Sequence, residues 1–481
     1  MEVMNTRRII LLILITGFLW SCEKGTRESG KESDEFVFRG RTLEEIKEDG
    51  RLRALTTYSG TSYFLYRGQP MGFEYELLKR FADHLGVELE IVVSQNIDRL
   101  FDRLMEGDID LVAHGITITS YRKERVNFTD YLYLTHQVLV QKKPDNWRNM
   151  KWSAIESELV HDAIELIGDT VSVRKNSSYY QRLVNLSSEI GGEIVIDTLS
   201  GNLSTDEIIK MVVDGKIKYT VADNNIASIN SSYYHILDID VPISFSQRIG
   251  WAVNPGATEL LAALNKWLKE MKKEVDYYVI YNKYFKNKRD FRKRIQSDFY
   301  SITNNRISKY DELIKENADT IDWDWRLVAS LIYQESRFDP TASSWAGAGG
   351  LMQIMPAVAE ELGVDNRLNP KQSIEGGTRF LKELWDKFDA VEDSIQRIKF
   401  TMASYNCGYY HVLDARTLAE IKGLDPNRWD NNVEEMVLEL SYPDNYNRPE
   451  IKYGYVRGIE PYTYVRQIFE RYEHYAQFIE V

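Results

Sequence analysis

An α/β body followed by a mostly helical one is the architecture this sequence predicts, on three observations. Between Arg51 and about Lys273, short β-rich runs alternate with amphipathic helical stretches, the pattern of α/β packing. After a basic stretch from Lys283 to Arg294, Trp, Tyr and Leu recur at helical spacing with few β-branched runs. Finally, 481 residues with 43% apolar and 28% charged positions exceed one ordinary domain, so two to four globular units are expected. The 73 acidic residues outnumber the 60 basic ones, giving a net charge of −13. That excludes a general nucleic-acid binder, whose affinity rests on neutralising phosphates, and favours neutral, zwitterionic or cationic partners. Cys22 and Cys407 are the only cysteines and the seven histidines are scattered. A disulfide framework and a multi-cysteine metal site are therefore excluded, and neither a metal nor an organic cofactor is expected.

The elements follow in chain order. Arg7 and Arg8 precede an apolar run from Ile9 to Trp20, closed by Ser21 and Cys22, which is a signal-peptide layout. As a helix the run spans about 18 Å against a hydrocarbon core of roughly 30 Å, which disfavours a permanent span. Leu19-Trp20-Ser21-Cys22 resembles a bacterial lipobox, which implies a lipidated Cys22. The Ser, Gly, Lys and Glu rich stretch after it reads as a tether. The expected divisions are a signal peptide over 1–21, a lipidated tether over 22–45, an α/β body over 46–275, a basic linker over 276–305 and a helical body over 306–481. In the α/β body, Leu78, Phe81, Ala82 and Leu85 fall at i, i+3, i+4 and i+7 and Gly86 follows as a C′ glycine, which predicts a helix packed on a sheet. From Lys283 to Arg294 seven of twelve residues are basic and one is acidic. Such a stretch reads as a solvated neck that is no part of a core, with contact to anionic lipid or cell wall as the alternative.

Several ordered blocks mark the first body: Gly72-Phe73-Glu74-Tyr75-Glu76-Leu77-Leu78, Asp108 to Val112, Gly115-Ile116-Thr117-Ile118-Thr119 with Arg122, and Asn127 to Asp130. Over roughly 220 residues they resemble the extracellular solute-binding proteins of the polar amino-acid family. The resemblance implies two α/β lobes closing on a ligand, with crossings near Val138 to Gln141 and Arg248 to Trp251. It implies Arg122 as the clamp for a ligand carboxylate, a pairing that suits the guanidinium fork, with Thr117 and the Gly115 backbone beside it. Asp223 falls where the family sets an aspartate against a ligand ammonium, though a turn or cap role stays open. The stretch Val173-Arg174-Lys175-Asn176-Ser177-Ser178 resembles the loop at a helix start that completes the site through Arg174 and Ser177. Phe73 either stacks on ligand or packs in the core. His114 stands where the family has a small residue, so the ligand can differ from a plain amino acid.

In the second body, Leu327, Val328, Leu331 and Ile332 form an apolar helical stripe, and Glu335 lies four residues after Leu331 and three after Ile332. That puts the carboxyl on the buried face, where desolvation favours the protonated acid. A neutral glutamic acid can protonate a glycosidic oxygen; alone, such a glutamate reads more readily as an edge residue reaching to solvent. The blocks that follow are Glu335-Ser336, Asp339-Pro340, Ser344, Gly347 to Pro356, Asn369-Pro370, Ala403 to Gly408 and Tyr464-Val465-Arg466. Over about 170 residues they resemble the soluble lytic transglycosylase domain, whose fold is lysozyme-like and mostly α. The resemblance implies Glu335 as acid and then base, Ser344, Gln353, Met355 and Tyr405 lining the sugar site, and Asn406 supporting the cleft. Cys407 replaces the alanine usual in that block. Asp339 before Pro340 reads as a helix exit, not a second acid.

Together the resemblances imply a two-lobed periplasmic-binding-protein-like α/β domain ahead of a lysozyme-like domain. The activity implied is that of a peptidoglycan lytic exotransglycosylase, a carbon–oxygen lyase that leaves 1,6-anhydromuramoyl ends. Its partners would be glycan strands, a small zwitterion such as an amino acid or muropeptide in the clamp, and a membrane reached through lipid. The expected site of action is the cell envelope, at the outer membrane facing the periplasm. The alternative from another class is a non-catalytic envelope receptor that holds peptidoglycan and a solute. A plain hydrolase is the third reading and differs in leaving a reducing end.

Overall fold

The computed structural model describes residues 40–480 apart from 95, 97, 98 and 303. The signal-peptide segment, Cys22 and the tether as far as residue 39 lie outside the described residues. The expected tether ends before residue 45. Arg41 pairs with Asp49 and with the buried Asp110, at 2.6 Å each, and Thr42 opens the helix Leu43–Asp49 with a reciprocal capping box to Glu45.

Two sheets carry the α/β body. The first runs in the order Glu88–Ser94, Arg51–Thr57, Leu111–Thr117, Gln247–Val253, Asn127–Phe128, with Tyr133–Thr135 also pairing with Gln247–Val253. The second runs Val195–Leu199, Thr170–Arg174, Tyr219–Asp223, Gln137–Lys142, Leu237–Asp238. Arg51–Thr57 and Glu88–Ser94 are parallel along their full length, so a crossover must join them. The helix Phe73–Leu85 supplies it, burying Leu77, Leu78, Phe81 and Ala82 and ending at Gly86 with φ 75°. The chain crosses between lobes at His136 and returns at residues 244–246, between strands of opposite sheets. The crossings expected at Val138 to Gln141 and Arg248 to Trp251 lie inside strands instead, because alternation marks a strand without saying which sheet it joins.

Contrary to the expectation of a solvated neck, the basic stretch lies in a pair of helices, Val275–Phe285 and Lys288–Ile295, with Tyr284, Phe285, Phe291 and Arg294 buried. The first packs on Phe73, which meets Tyr277, Tyr281 and Phe285 at centroid distances of 5.0–6.4 Å. The Arg294 guanidinium lies 5.5–5.8 Å from the ring centroids of Phe64, Tyr284 and Phe291, where cation–π attraction replaces part of its lost hydration.

In the helical body, Trp325–Ser336 is buried from Trp325 to Ile332 and lies against the helices Asp311–Asp319 and Ile459–Phe478. Burial on every side marks a central helix, and one core joins Val328, Leu331, Ile332, Phe400, Trp429 and Ile468. The α/β body touches it through the hairpin Phe64–Tyr66 and Gln69–Met71, whose tip residues Arg67 and Gly68 have φ of 52° and 73°. Tyr475 donates to the Gly68 carbonyl at 2.7 Å. A Cβ at Gly68 would stand 2.6 Å from Tyr475 Oη and 3.0 Å from Phe338, so the tip fits only as glycine. Among the described residues no helix is long and apolar enough to cross a membrane.

Candidate active site and ligand clamp

Glu335 lies in the last turn of Trp325–Ser336, and the two residues after Ser336, Arg337 and Phe338, have φ of 53° and 61°, which stops the helix one residue beyond the carboxyl. Glu335 is half-buried, and burial pushes its carboxyl up to about 7, against a smaller downward pull from the Tyr464 hydroxyl that donates to its Oε1. Tyr464 comes from the helix Ile459–Phe478. Tyr405, on Ser394–Cys407, is held well above the ordinary phenol range by burial and then by the Glu335 charge. The carboxyl therefore has two phenols for company.

The glycine-rich loop is tied to this helix. Ser336 Oγ donates to the Leu351 carbonyl at 2.8 Å, and Tyr405 Oη to the Met352 carbonyl at 2.7 Å. Gly350 has φ 83°, and a Cβ there would stand 1.8 Å from the Arg367 carbonyl; the loop closes only around glycine. Ser344 accepts the Ala348 N–H at 3.0 Å, leaving its own proton to donate. Gln353, at φ 47°, donates its amide to the carbonyls of Ala342 and Gly350 at 3.0 and 2.9 Å, so it builds the loop first and keeps Oε1 for other contacts. The side chains of Met355 and Asn406 are exposed and form no hydrogen bond to the other site residues among the described residues. Asp339 accepts from the Thr341 N–H and hydroxyl, at 2.9 and 2.7 Å, which holds it below the usual carboxylate range; that is a turn, as expected. Burial pushes the half-buried Cys407 thiol up to about 12, so it stays a thiol.

The clamp cavity, about 700 Å³, gathers Gly115, Thr117, Arg122, Arg174, Ser177 and Asp223. Arg122 follows the Thr119 cap and donates to the Thr117 carbonyl at 2.9 Å. Burial and then the nearby Arg174 bring it down to about 10. Arg174 ends its strand and donates to the Leu203 carbonyl at 3.1 Å. Ser177 is the N-cap of Ser178–Ile190; its hydroxyl accepts the Tyr180 N–H and donates to the Arg174 carbonyl, so its role is to shape the helix start. Asp223 ends Tyr219–Asp223 without capping the next helix. Burial lifts it to about 7 against the pull of Tyr179, Arg122 and Arg174, and its buried Oδ1 has no partner. The lobes meet where Gly60 N–H donates to Asp206 at 3.1 Å and where Thr117 and Ser178 hydroxyls lie 3.2 Å apart.

Sequence reasoning gave no role to Tyr464, Glu74, Tyr179 or Tyr133. Glu74, in the quoted Gly72 block, is buried in the cavity wall, raised by burial to about 8, with Oε2 unpartnered. Phe73 is fully buried among tyrosines, so packing is its role. His114 bonds through Nδ1 to the Thr57 hydroxyl at 2.9 Å, and burial and then the two arginines lower it to about 3, which keeps it neutral.

Comparison with known proteins assigns each body. Bacterial extracellular solute-binding proteins, family 3, match residues 51–287, and the transglycosylase SLT domain matches 312–424. The protein is thus a solute-binding clamp joined to a transglycosylase domain. A membrane-bound lytic murein transglycosylase F of Desulfosudis oleivorans is 37% identical over 90% of this chain and 91% of that one. Proteins of the same name from Pseudomonas fluorescens strains Pf-5 and Pf0-1 are 34% and 33% identical over 90% and 91% of this chain and 86% and 87% of theirs. The chain belongs to the membrane-bound lytic murein transglycosylase F family. Among solved structures, an ancestral amino-acid-binding protein described as a precursor of cyclohexadienyl dehydratase is 29% identical, covering 51% of this chain and 99% of that one with a TM-score of 0.41.

Proposed function

We propose that this chain is a peptidoglycan lytic transglycosylase that cuts the β-1,4 bond between N-acetylmuramic acid and N-acetylglucosamine without water, with Glu335 as its one acid and base. The observation that carries the reading is a half-buried carboxyl raised to about 7 at the end of a central helix, bonded on one oxygen by Tyr464. An acid with that affinity for its proton is present near neutral pH and, once spent, is a usable base. Glu335 gives its proton to the glycosidic oxygen as the bond to muramoyl C1 breaks. The substrate's acetamido group shields the oxocarbenium-like centre. The Glu335 carboxylate then takes the proton of the muramoyl C6 hydroxyl, O6 bonds to C1, and the 1,6-anhydro ring closes. Hydrolysing glycosidases use two carboxylates because one must activate water or attack; here the substrate supplies both groups. Tyr464 steadies the carboxylate between the two proton transfers. Ser344, Gln353, Met355, Tyr405 and Asn406 contact or shape the sugar site.

The clamp takes a small zwitterion, such as an amino acid or a muropeptide, with its carboxylate on Arg122 and its ammonium on Asp223. Gly115, Thr117, Arg174 and Ser177 complete the walls. Relatives named membrane-bound associate this family with the cell envelope, and Cys22 is the residue through which this chain would carry lipid into the outer membrane.

Mass spectrometry of purified sacculi incubated with residues 40–481 tests the catalytic reading, beside Glu335→Gln. Anhydro-muropeptides from the wild type alone are expected. Reducing-end products would make it a hydrolase, and absence of products from both would move it to the receptor class.

A further inference from the structure

We propose that the helix pair Val275–Phe285 and Lys288–Ile295 is a docking surface for an anionic phospholipid bilayer. On a chain of net −13, Lys286, Lys288, Arg289, Arg292 and Lys293 are all exposed within eight residues. Lys283 is taken by Glu76 at 2.6 Å and Arg294 is buried against three rings. The acidic groups beside the cluster are largely engaged: Asp276 pairs with Arg80, and Asp290 accepts from Asn287 Nδ2 at 2.6 Å and lies 4.0 Å from Lys293. Glu274 at the far end and exposed Asp298, five residues after Lys293, remain as the nearby unpaired acids among the described residues. A basic cluster of this density attracts anionic lipid, each cation near the surface strengthening the attraction.

Charge alone would also suit an acidic polymer, and the apolar part of the surface decides between them. Val275, Tyr278 and Val279 are 75%, 56% and 56% exposed. They fall at i, i+3 and i+4 on Val275–Phe285, so they form one stripe, and continuing that face by i+7 and i+11 reaches exposed Asn282 and Lys286. A polyanion in water gives no reason to leave such a stripe bare. A bilayer does, because apolar side chains and an amphipathic tyrosine enter the headgroup boundary while lysine and arginine stems reach the phosphates. The opposite faces of both helices are pinned by Tyr277, Ile280, Tyr284, Phe285 and Phe291, so the surface is presented on a fixed element.

The test is co-sedimentation with vesicles of phosphatidylglycerol and phosphatidylethanolamine, against vesicles of phosphatidylcholine alone. Residues 40–481 are used, since Gly40–Val481 forms one compact unit and no lipid anchor then contributes. Binding to the anionic vesicles alone is expected, falling steeply as salt rises from about 0.05 to about 0.5 M. The variant Lys288→Gln/Arg289→Gln/Arg292→Gln/Lys293→Gln should bind at least about 100-fold more weakly, and Tyr278→Ser/Val279→Ser about tenfold. Both should cleave sacculi at the wild-type rate, which shows that they fold. Failure of the wild type to bind phosphatidylglycerol vesicles, equal binding to phosphatidylcholine, or undiminished binding by the fourfold variant would overturn the proposal. So would loss of sacculus binding by that variant without any vesicle binding, which would make the partner the acidic cell wall.

Discussion

Glu335 and Asp223 are both carboxyls lifted to about 7 by burial, yet they stand in opposite company. Glu335 faces the phenols Tyr464 and Tyr405, with no cation among the causes of its shift. Asp223 faces Arg122 and Arg174, both of which pull it down against a larger burial effect. Desolvation raises either carboxyl; the neighbours decide what the proton is for. A carboxyl among phenols keeps a proton it can hand to a glycosidic oxygen. A carboxyl already half won over by arginines ionises when an ammonium arrives, so the change belongs to binding.

The contrast breaks most sharply at Glu335. Replacing Glu335 by Gln keeps the shape and the Tyr464 bond but removes the transferable proton, and should cut anhydro-muropeptide formation by at least about 1,000-fold. Ligand binding in the clamp, followed by calorimetry, should be untouched by that change. The mirror experiment is Arg122→Ala, which should weaken binding of a zwitterionic ligand by about 100-fold, the scale of a charge-assisted hydrogen bond at a buried site. Arg122→Lys should restore little of it, because an ammonium cannot make the paired contact. If free amino acids and muropeptides bind neither wild type nor variant, Asp223 is an ordinary buried aspartate and the contrast fails.

A smaller effect sharpens the catalytic side. The Tyr464 hydroxyl favours the charged form of Glu335, so Tyr464→Phe should raise the carboxyl above about 7, make it a weaker acid and slow the first proton transfer, which leaves a carboxylate no longer steadied by the phenol. The first step needs the acid form, and wild-type kcat/KM should therefore fall as pH rises through about 7. In Tyr464→Phe that alkaline limb should move to higher pH while the plateau rate drops by about tenfold. An unmoved limb would mean that a group other than Glu335 sets it.

How far the sequence reached differs between the two bodies for physical reasons. Glu335 is legible through the ordered blocks that follow it, because its helix is buried on every side and the apolar stripe alone favours an edge residue. Its partner Tyr464 lies 129 residues away, and no local pattern links them. In the clamp, Arg122 and Asp223 were legible only through motif context, while Glu74 passed unnoticed because a buried acid near a helix start looks like a dipole partner. Ser177 and Gln353, expected at ligand, also hold their loops together through the carbonyls of Arg174 and of Ala342 and Gly350, which spacing along the chain does not reveal. The basic stretch misled by its composition: seven cations hid Tyr284, Phe285 and Phe291, and a count of charges does not see that Arg294 is caged by rings.

The smallest predicted effect ties the acid site to stability. A carboxyl raised by folding contributes its full share below its unfolded value near 4.5 and loses it as pH climbs through about 7. Glutamine imitates the protonated form at every pH. Glu335→Gln should therefore unfold like the wild type at pH about 4 and be more stable at pH about 8 by about 1–2 kcal/mol, a range reduced to allow for solvent reaching a half-exposed group. Denaturant melts at the two pH values measure it. An inactive variant with a gain at alkaline pH only would show that the desolvation which makes Glu335 an acid is a cost the fold bears for catalysis. A gain of equal size at both pH values would trace the effect to packing and leave the raised proton affinity without support.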